Sequence, residues 1–339
     1  MVNSNPLPRR RGFNLQYSFG KSGRNPVEDD FRWIADWGFD FVRLPMNYRL
    51  WTEPYPPAGG RSFAEPRLKE EVLEKIDLAV ELGRKHGIHM NLNFHRAPGY
   101  CVNDSVEEPF CLWTDKDALD AFCFHWSHFA KRYKDIPPDE LSFNLVNEPA
   151  DRQGDGTMTR ERHEKVMRAA LQAIHAIDPD RLVIIDGVRW GNDTCPELAD
   201  TGMGQSCRGY LPMQISHYQA PWVNGERYDE PTWPTADQGN GIWDRARLEE
   251  HFGQWGDLVK QGVGVHCGEC GCFNKTPHAV FLAWFEDFLQ ILTGLDIGWA
   301  LWQFRGGFGI LDSDREDVDY EDWQGHKLDR KLLDLLQKY

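Results

Sequence analysis

A closed (β/α)8 barrel in a single domain is the fold that the sequence predicts, on three observations. Eight short β-like runs are spread along the whole chain, amphipathic helical stretches alternate with them, and the long polar insertions follow strands and precede helices. Strict βα alternation implies a parallel sheet, and eight units imply closure. At 339 residues the chain has room for two average domains, yet barrels of this length routinely form one. No convincing linker, low-complexity tract or repeat beyond the βα unit interrupts it. An open doubly wound sheet is the competing architecture, disfavoured because no glycine-rich phosphate loop follows the first run.

The β-like runs are "RGFNL" (11–15), "FDFVRLP" (39–45), "IHMNLNF" (88–94), "LSFNLV" (141–146), "LVIIDG" (182–187), "MQISHY" (213–218), "VGVHCGE" (263–269) and "GWALWQF" (298–304). Between them, residues 67–87, 115–133 and 160–178 carry apolar side chains at helical spacing with charges on the opposite face. Thr114 with Asp115 and Asp117 reads as a capped helix start, and Gly87 as a C′ glycine. Insertions at 97–113, 150–159, 188–212 and 219–243 are rich in Gly, Pro, Asp and Trp. They collect on the C-terminal rim, where barrels place their active sites.

Composition narrows the function classes. With 53 acidic against 38 basic side chains the net charge is −15, which repels a phosphate backbone and an anionic membrane surface alike. Nucleic acid and membrane are therefore excluded as expected partners. The 14 Trp exceed what a core needs and offer flat faces on which sugar rings stack. No apolar run has the length of a membrane span, and no apolar h-region follows the basic start "MVNSNPLPRRRGFN". The chain reads as soluble, either cytoplasmic or secreted with its signal peptide removed; its oligomeric state is open.

Eight cysteines are too few for a disulfide scaffold, although the pairs Cys101/Cys111 and Cys195/Cys207 flank polar loops and are open to bridging. "HCGECGC", with His266, Cys267, Cys270 and Cys272, offers soft ligands. Its spacing is not that of a structural zinc site, and strand alternation points Cys267 and Cys270 to opposite faces. No metal and no cofactor is expected.

The chemistry-bearing stretch is "FNLVNEPA" (143–150), an apolar strand that ends on an amide, a carboxylate and a proline. Glu148 sits past the strand end, at the rim. Pro149 is expected to restrict it to extended geometry and so fix its direction. A second strand, the seventh, ends the same way on Glu269. Two carboxylates facing each other across a barrel mouth are what retaining glycoside hydrolysis needs, roughly 5 to 5.5 Å apart, one a protonated acid and one an ionised nucleophile. Proximity itself helps to separate their roles, because each charge raises its neighbour's pKa.

These motifs, with "GFNL", "VRLP", "HRAPGY", "NLVNEP", "SHYQAPW", "GECG" and "WALWQFRGGFGILDS", resemble glycoside hydrolase family 5 almost end to end. The resemblance implies that Glu148 is the acid/base and Glu269 the nucleophile. It implies that Arg43 pairs with the nucleophile, that His95 binds sugar hydroxyls near the cleavage point, and that Asn147 donates to the 2-hydroxyl. It further implies that Tyr218 hydrogen-bonds the nucleophile, that His217 supports the acid/base, and that Trp302 is the floor under the sugar. One departure is visible: relatives commonly separate this His from the Tyr by one residue, whereas here the two are adjacent and Ser216 holds the offset position. Trp190 and Trp222, in rim insertions, either extend the sugar path or pack their own loops.

The resulting expectation is a retaining hydrolase of β-linked glucan or gluco-oligosaccharide. β-Mannan, aryl glycosides and disaccharides are alternative substrates, because rim loops decide among them. The long loops at 188–212 and 219–243 favour exo action by walling off one end of the cleft. A non-catalytic sugar-binding barrel would lack one carboxylate, and both are present. A metal-dependent hydrolase built on His95, His217 and the cysteines would survive loss of Glu269.

Overall fold

The structure, a computed structural model, describes residues 7–20, 23–53, 66–102, 108–152, 154–237 and 241–339. Its main sheet closes on itself through eight parallel strands, here β1 (Arg11–Asn14), β2 (Phe41–Asn47), β3 (His89–Ala97), β4 (Leu141–Asn144), β5 (Leu182–Asp186), β6 (Gly204–Gly209), β7 (Val265–Cys270) and β8 (Gly298–Leu301). Neighbours in sequence are neighbours in space, and β8 returns to β1 with Trp299 opposite Arg11. The two-residue strand Tyr100–Cys101 folds back antiparallel on the end of β3. Outside the barrel lie α1 (Glu28–Asp36), α2 (Glu70–Lys85), α3 (Lys116–Tyr133), α4 (Arg160–His175), α5 (Arg245–Lys260), α6 (His278–Gly294) and α7 (Arg330–Lys338). No described helix is long and apolar enough to cross a membrane.

The strands are buried on both faces, as closure requires. Outward side chains pack against helices: Phe94 of β3 stacks on Trp126 of α3 at 4.0 Å, and the Trp126 indole donates to Leu145 O at 3.2 Å. Helices start where side chains accept their orphan amides, as Thr159 does for α4, Asp244 for α5 and Asp329 for α7. Gly87, with φ 68°, takes the left-handed conformation of a C′ residue. The expected cap of α3 is built otherwise: Asp115 accepts from the Cys111 amide, not from the helix.

The sixth strand differs from expectation. "MQISHY" (213–218) alternates like a strand but forms the helical turn Met213–Ser216, while β6 is "GQSCRG", inside the insertion assigned to 188–212. Its two glycines and small polar residues hide it from propensity. Packing explains them: a Cβ on Gly209 would lie 2.3 Å from the Phe288 ring of α6 and 2.6 Å from Cys270 Cβ.

Candidate active site

A cleft of about 800 Å³ opens at the C-terminal ends of the strands, and Glu148 and Glu269 both line it. Glu148 is not extended as Pro149 led us to expect; its φ is 49°. A residue before proline is pushed out of the right-handed helical region, and this one occupies the left-handed region, which costs a non-glycine residue energy. Its flanking peptide groups are held to offset that cost. The Glu148 amide donates to Asp186 Oδ2 at 2.9 Å, and its carbonyl accepts from the Tyr100 hydroxyl at 2.7 Å. The same hydroxyl accepts from the Ala150 amide at 2.9 Å, so one tyrosine clamps both sides of the Glu-Pro step.

Glu269 is placed by a β-bulge. Cys267 pairs with Cys207, but the register then shifts, so that Glu269 faces Arg208 on β6. Gly268 fills the extra position because a Cβ there would sit 2.6 Å from Ser206 Oγ and 3.0 Å from Arg208 Nη1. The Glu269 carboxylate accepts from Arg43 Nη1 at 2.7 Å and from the Tyr210 hydroxyl at 3.1 Å. Arg43, the third residue of β2, is itself fixed by Asn14, Asn144 and Asn147.

Three residues at this site escaped the sequence reading, and two of them correct it. Tyr210, and not Tyr218, bonds Glu269; Tyr218 is half-buried away from the cleft lining. Arg208, and not His217, contacts Glu148: its Nε donates to Glu148 Oε1 at 2.9 Å. Because β6 ends nine residues earlier than expected, Arg208-Gly209-Tyr210 supplies the one-residue separation that His217 and Tyr218 lack. His217 still lines the cleft, edge-on to Tyr210 and Phe308, with Nδ1 2.8 Å from Ser216 Oγ. The third residue is Asp186, fully buried, which accepts from Asn144 Nδ2, from the Glu148 amide and from Arg208 Nη2.

Burial, then the charge of Glu269, raises the Glu148 carboxyl to about 7, with Arg208 pulling the other way. Burial pushes the Tyr210 phenol well above its ordinary value, helped by Glu269, and the His95 imidazole well below, helped by Arg43. The site thus offers one carboxyl poised to carry a proton near neutrality and one carboxylate paired with a guanidinium.

His95 and Trp302 line the same cleft, and Asn147 is buried against Arg43 and Arg208. His95 stacks on Trp302 with ring centroids 5.4 Å apart, and neither of its ring nitrogens has a protein partner. Asn147 Oδ1 accepts from both Arg43 and Arg208 at 2.8 Å, which fixes the amide orientation and leaves Nδ2 without a protein partner. Trp302 lines the cleft, as do Trp190 and Trp222, which are 44% and 55% exposed. Trp222 stands edge-on to Phe273 and beside Phe308, an aromatic wall on the loop after β6.

Cysteines take structural places. Cys111, Cys195 and Cys207 are in no disulfide, so neither loop pair is bridged. The bulge returns Cys270 to the side of Cys267, against the alternation expected, and the Cys207 thiol meets them there. Cys267, Cys270 and Cys272 donate to backbone carbonyls. Away from the cleft, His163, Cys195 and Glu197 bring ligand atoms within 4.8 Å of one another. Burial pushes the Cys195 thiol up to about 12 and Arg160 pairs with Glu197, so this cluster is poorly disposed toward a cation.

Known proteins carry the same architecture. Residues 3–307 match the family Cellulase (glycosyl hydrolase family 5). Endoglucanase C of Acetivibrio thermocellus is 27% identical over 321 residues, covering 87% of this chain and 89% of its own. Cellodextrinase A of Ruminococcus flavefaciens is 26% identical over 269 residues, covering 76% and 72%. The crystal structure of a glycoside hydrolase superimposes with a TM-score of 0.90 at 42% identity, covering 97% of this chain and 99% of that one. Thermotoga maritima Cel5A in complex with cellobiose superimposes at 0.76 with 22% identity, covering 97% and 96%, a likeness of fold. With a family match over most of its length, the chain belongs to the cellulase family, glycosyl hydrolase family 5, and is a glycoside hydrolase.

Proposed function

We propose that the protein hydrolyses β-linked glucan or gluco-oligosaccharide with retention, using Glu148 as acid/base and Glu269 as nucleophile. One observation carries this reading: a single guanidinium, that of Arg208, reaches both carboxylates, 2.9 Å from Glu148 and 3.5 Å from Glu269. The two groups therefore act on one bond. In the first step a Glu269 oxygen attacks the anomeric carbon while Glu148 gives its proton to the departing glycosidic oxygen, leaving a glycosyl ester on Glu269. In the second, Glu148, now a carboxylate, takes a proton from water, which displaces Glu269 and frees the sugar. Asn147 Nδ2, unpartnered beside the pair, donates to the 2-hydroxyl as charge develops, and Trp302 supports the sugar ring. The endoglucanase and cellodextrinase relatives support a β-glucan chain as substrate.

Glu269→Ala tests the assignment. Cleavage of an activated aryl β-glucoside should fall by at least about 10³-fold with the fold intact, and azide should restore part of it with an inverted glycosyl azide as product. Near-normal turnover of Glu269→Ala would refute the nucleophile assignment.

A further inference from the structure

At the base of the cleft two buried carboxyl groups, Asp186 and Glu269, and the partly buried Glu148 meet two buried guanidiniums. Arg208 Nη2 pairs with Asp186 and lies 3.5 Å from Glu269, while its Nε holds Glu148. Arg43 lies 2.7 Å from Glu269 and 3.9 Å from Asp186. Tyr210 and His95, which also face this cluster, are neutral. Burial keeps the Tyr210 phenol protonated and His95 unprotonated. Cys267 Sγ lies 3.3 Å from Glu269 O; burial raises its thiol, but hydrogen bonds with Cys207 and Cys270 and the charge of Arg208 together lower it to about 5. Three carboxyl groups thus face two guanidiniums, so this set of five is neutral when it holds one proton among the carboxyls.

We infer that Arg208 is a positioning residue whose permanent charge sets the proton count of the site: with Arg43 it balances Asp186 and Glu269, so the cluster keeps one proton and keeps it on Glu148. The inference rests on the acid/base and nucleophile roles proposed above. A guanidinium suits the task for two reasons. It does not lose its proton, whereas a buried imidazole here is neutral, as at His217, where burial lowers the pKa to about 4. Its fork also reaches Glu148, Asp186 and Asn147 from one plane, which a lysine ammonium does not. Glu148 is the member of the cluster with fewest donors, since Asp186 accepts from three and Glu269 from Arg43 and Tyr210. The proton therefore falls on the residue that must deliver it.

Altering the charge count should move the pH–rate profile in opposite directions. Arg208→Met leaves three carboxylates facing one guanidinium, so both limbs of kcat/KM on an aryl β-glucoside should move to higher pH by about one unit or more. Asp186→Asn leaves two carboxylates facing two guanidiniums, and both limbs should move down. The double variant restores a cluster that is neutral with one proton, and its limbs should return toward those of the wild type even if its maximal rate does not. Circular dichroism checks each fold, and Asp186→Asn carries the test alone if Arg208→Met does not fold. Limbs at wild-type positions in the folded variants, with only the maximal rate reduced, would make Arg208 a structural residue and overturn the inference. Glu148→Gln and Glu269→Gln run in parallel: if either keeps wild-type turnover, the proposed roles themselves fail, a result distinct from unmoved limbs.

Discussion

Glu148 holds its proton at some expense to the fold. A carboxyl whose pKa is raised from 4.5 to about 7 on folding adds stability that is fully present below 4.5 and is lost as pH rises through 7. The loss is about 3 kcal/mol at most, less because the side chain is 15% exposed. Glu148→Gln carries no charge to desolvate and its amide oxygen accepts from Arg208. Its melting temperature should therefore exceed that of the wild type at pH 8 and match it near pH 4.5, as calorimetry would show; a deficit at pH 8 would contradict the burial argument. Legibility at this scale follows from backbone position. Glu148 and Glu269 were readable because each closes a run with strand character, whereas the roles of Arg43, His95 and Trp302 rested on the family resemblance. Asp186 also closes such a run, but its role as acceptor for the Glu148 amide depends on a left-handed residue that no local pattern announces.

The seventh and sixth strands act as one element. The bulge at Gly268 gives Glu269 its register against Arg208, and Ser206 Oγ accepts both from the Gly268 amide and from Arg208 Nη1. Gly268→Ala should therefore strain the guanidinium and the nucleophile together. Overpacking of this kind costs typically about 1–3 kcal/mol. The expected result is a folded protein with a lowered melting temperature and kcat reduced by about tenfold or more on gluco-oligosaccharides; unchanged kcat would show that the bulge does not position Glu269. The same pair of strands marks where sequence reading stopped. β7 follows Val263 and opens on Val265, so it was legible, whereas β6 begins and ends on glycine, Gly209 because Phe288 of α6 and Cys270 of β7 press against it. Missing β6 displaced the Tyr and the acid/base partner together, an error of one element and not of two residues. The spacing mismatch between His217 and Tyr218 was the available signal.

Closure of the barrel separates what must be rigid from what selects substrate. Every catalytic candidate stands on or just beyond a strand that has parallel neighbours on both sides, so loop variation need not disturb it. The cleft walls come instead from the loops after β5 and β6, which bring Trp190 and Trp222. Their positions in insertions were legible; their shared facing on one cleft was not, since it depends on strand order around the ring. Trp222 is the better placed for a sugar, being more exposed and backed by Phe273 at 4.9 Å, so its indole is held before substrate arrives. It has no contact with Glu148 or Glu269 among the described interactions, and its loss should weaken binding without touching bond cleavage. Trp222→Ala should raise KM for cello-oligosaccharides by about three- to tenfold, the worth of one aromatic face at roughly 0.5–1.5 kcal/mol. Its kcat should stay within about twofold of the wild type, because binding lost equally from ground and transition states leaves kcat alone. An aryl glucoside too short to reach that wall should be cleaved with unchanged KM. If Trp222→Ala instead lowers kcat on both substrates and leaves KM unmoved, the loop after β6 shapes the catalytic centre itself, and the division between rigid ring and selective rim does not hold for this barrel.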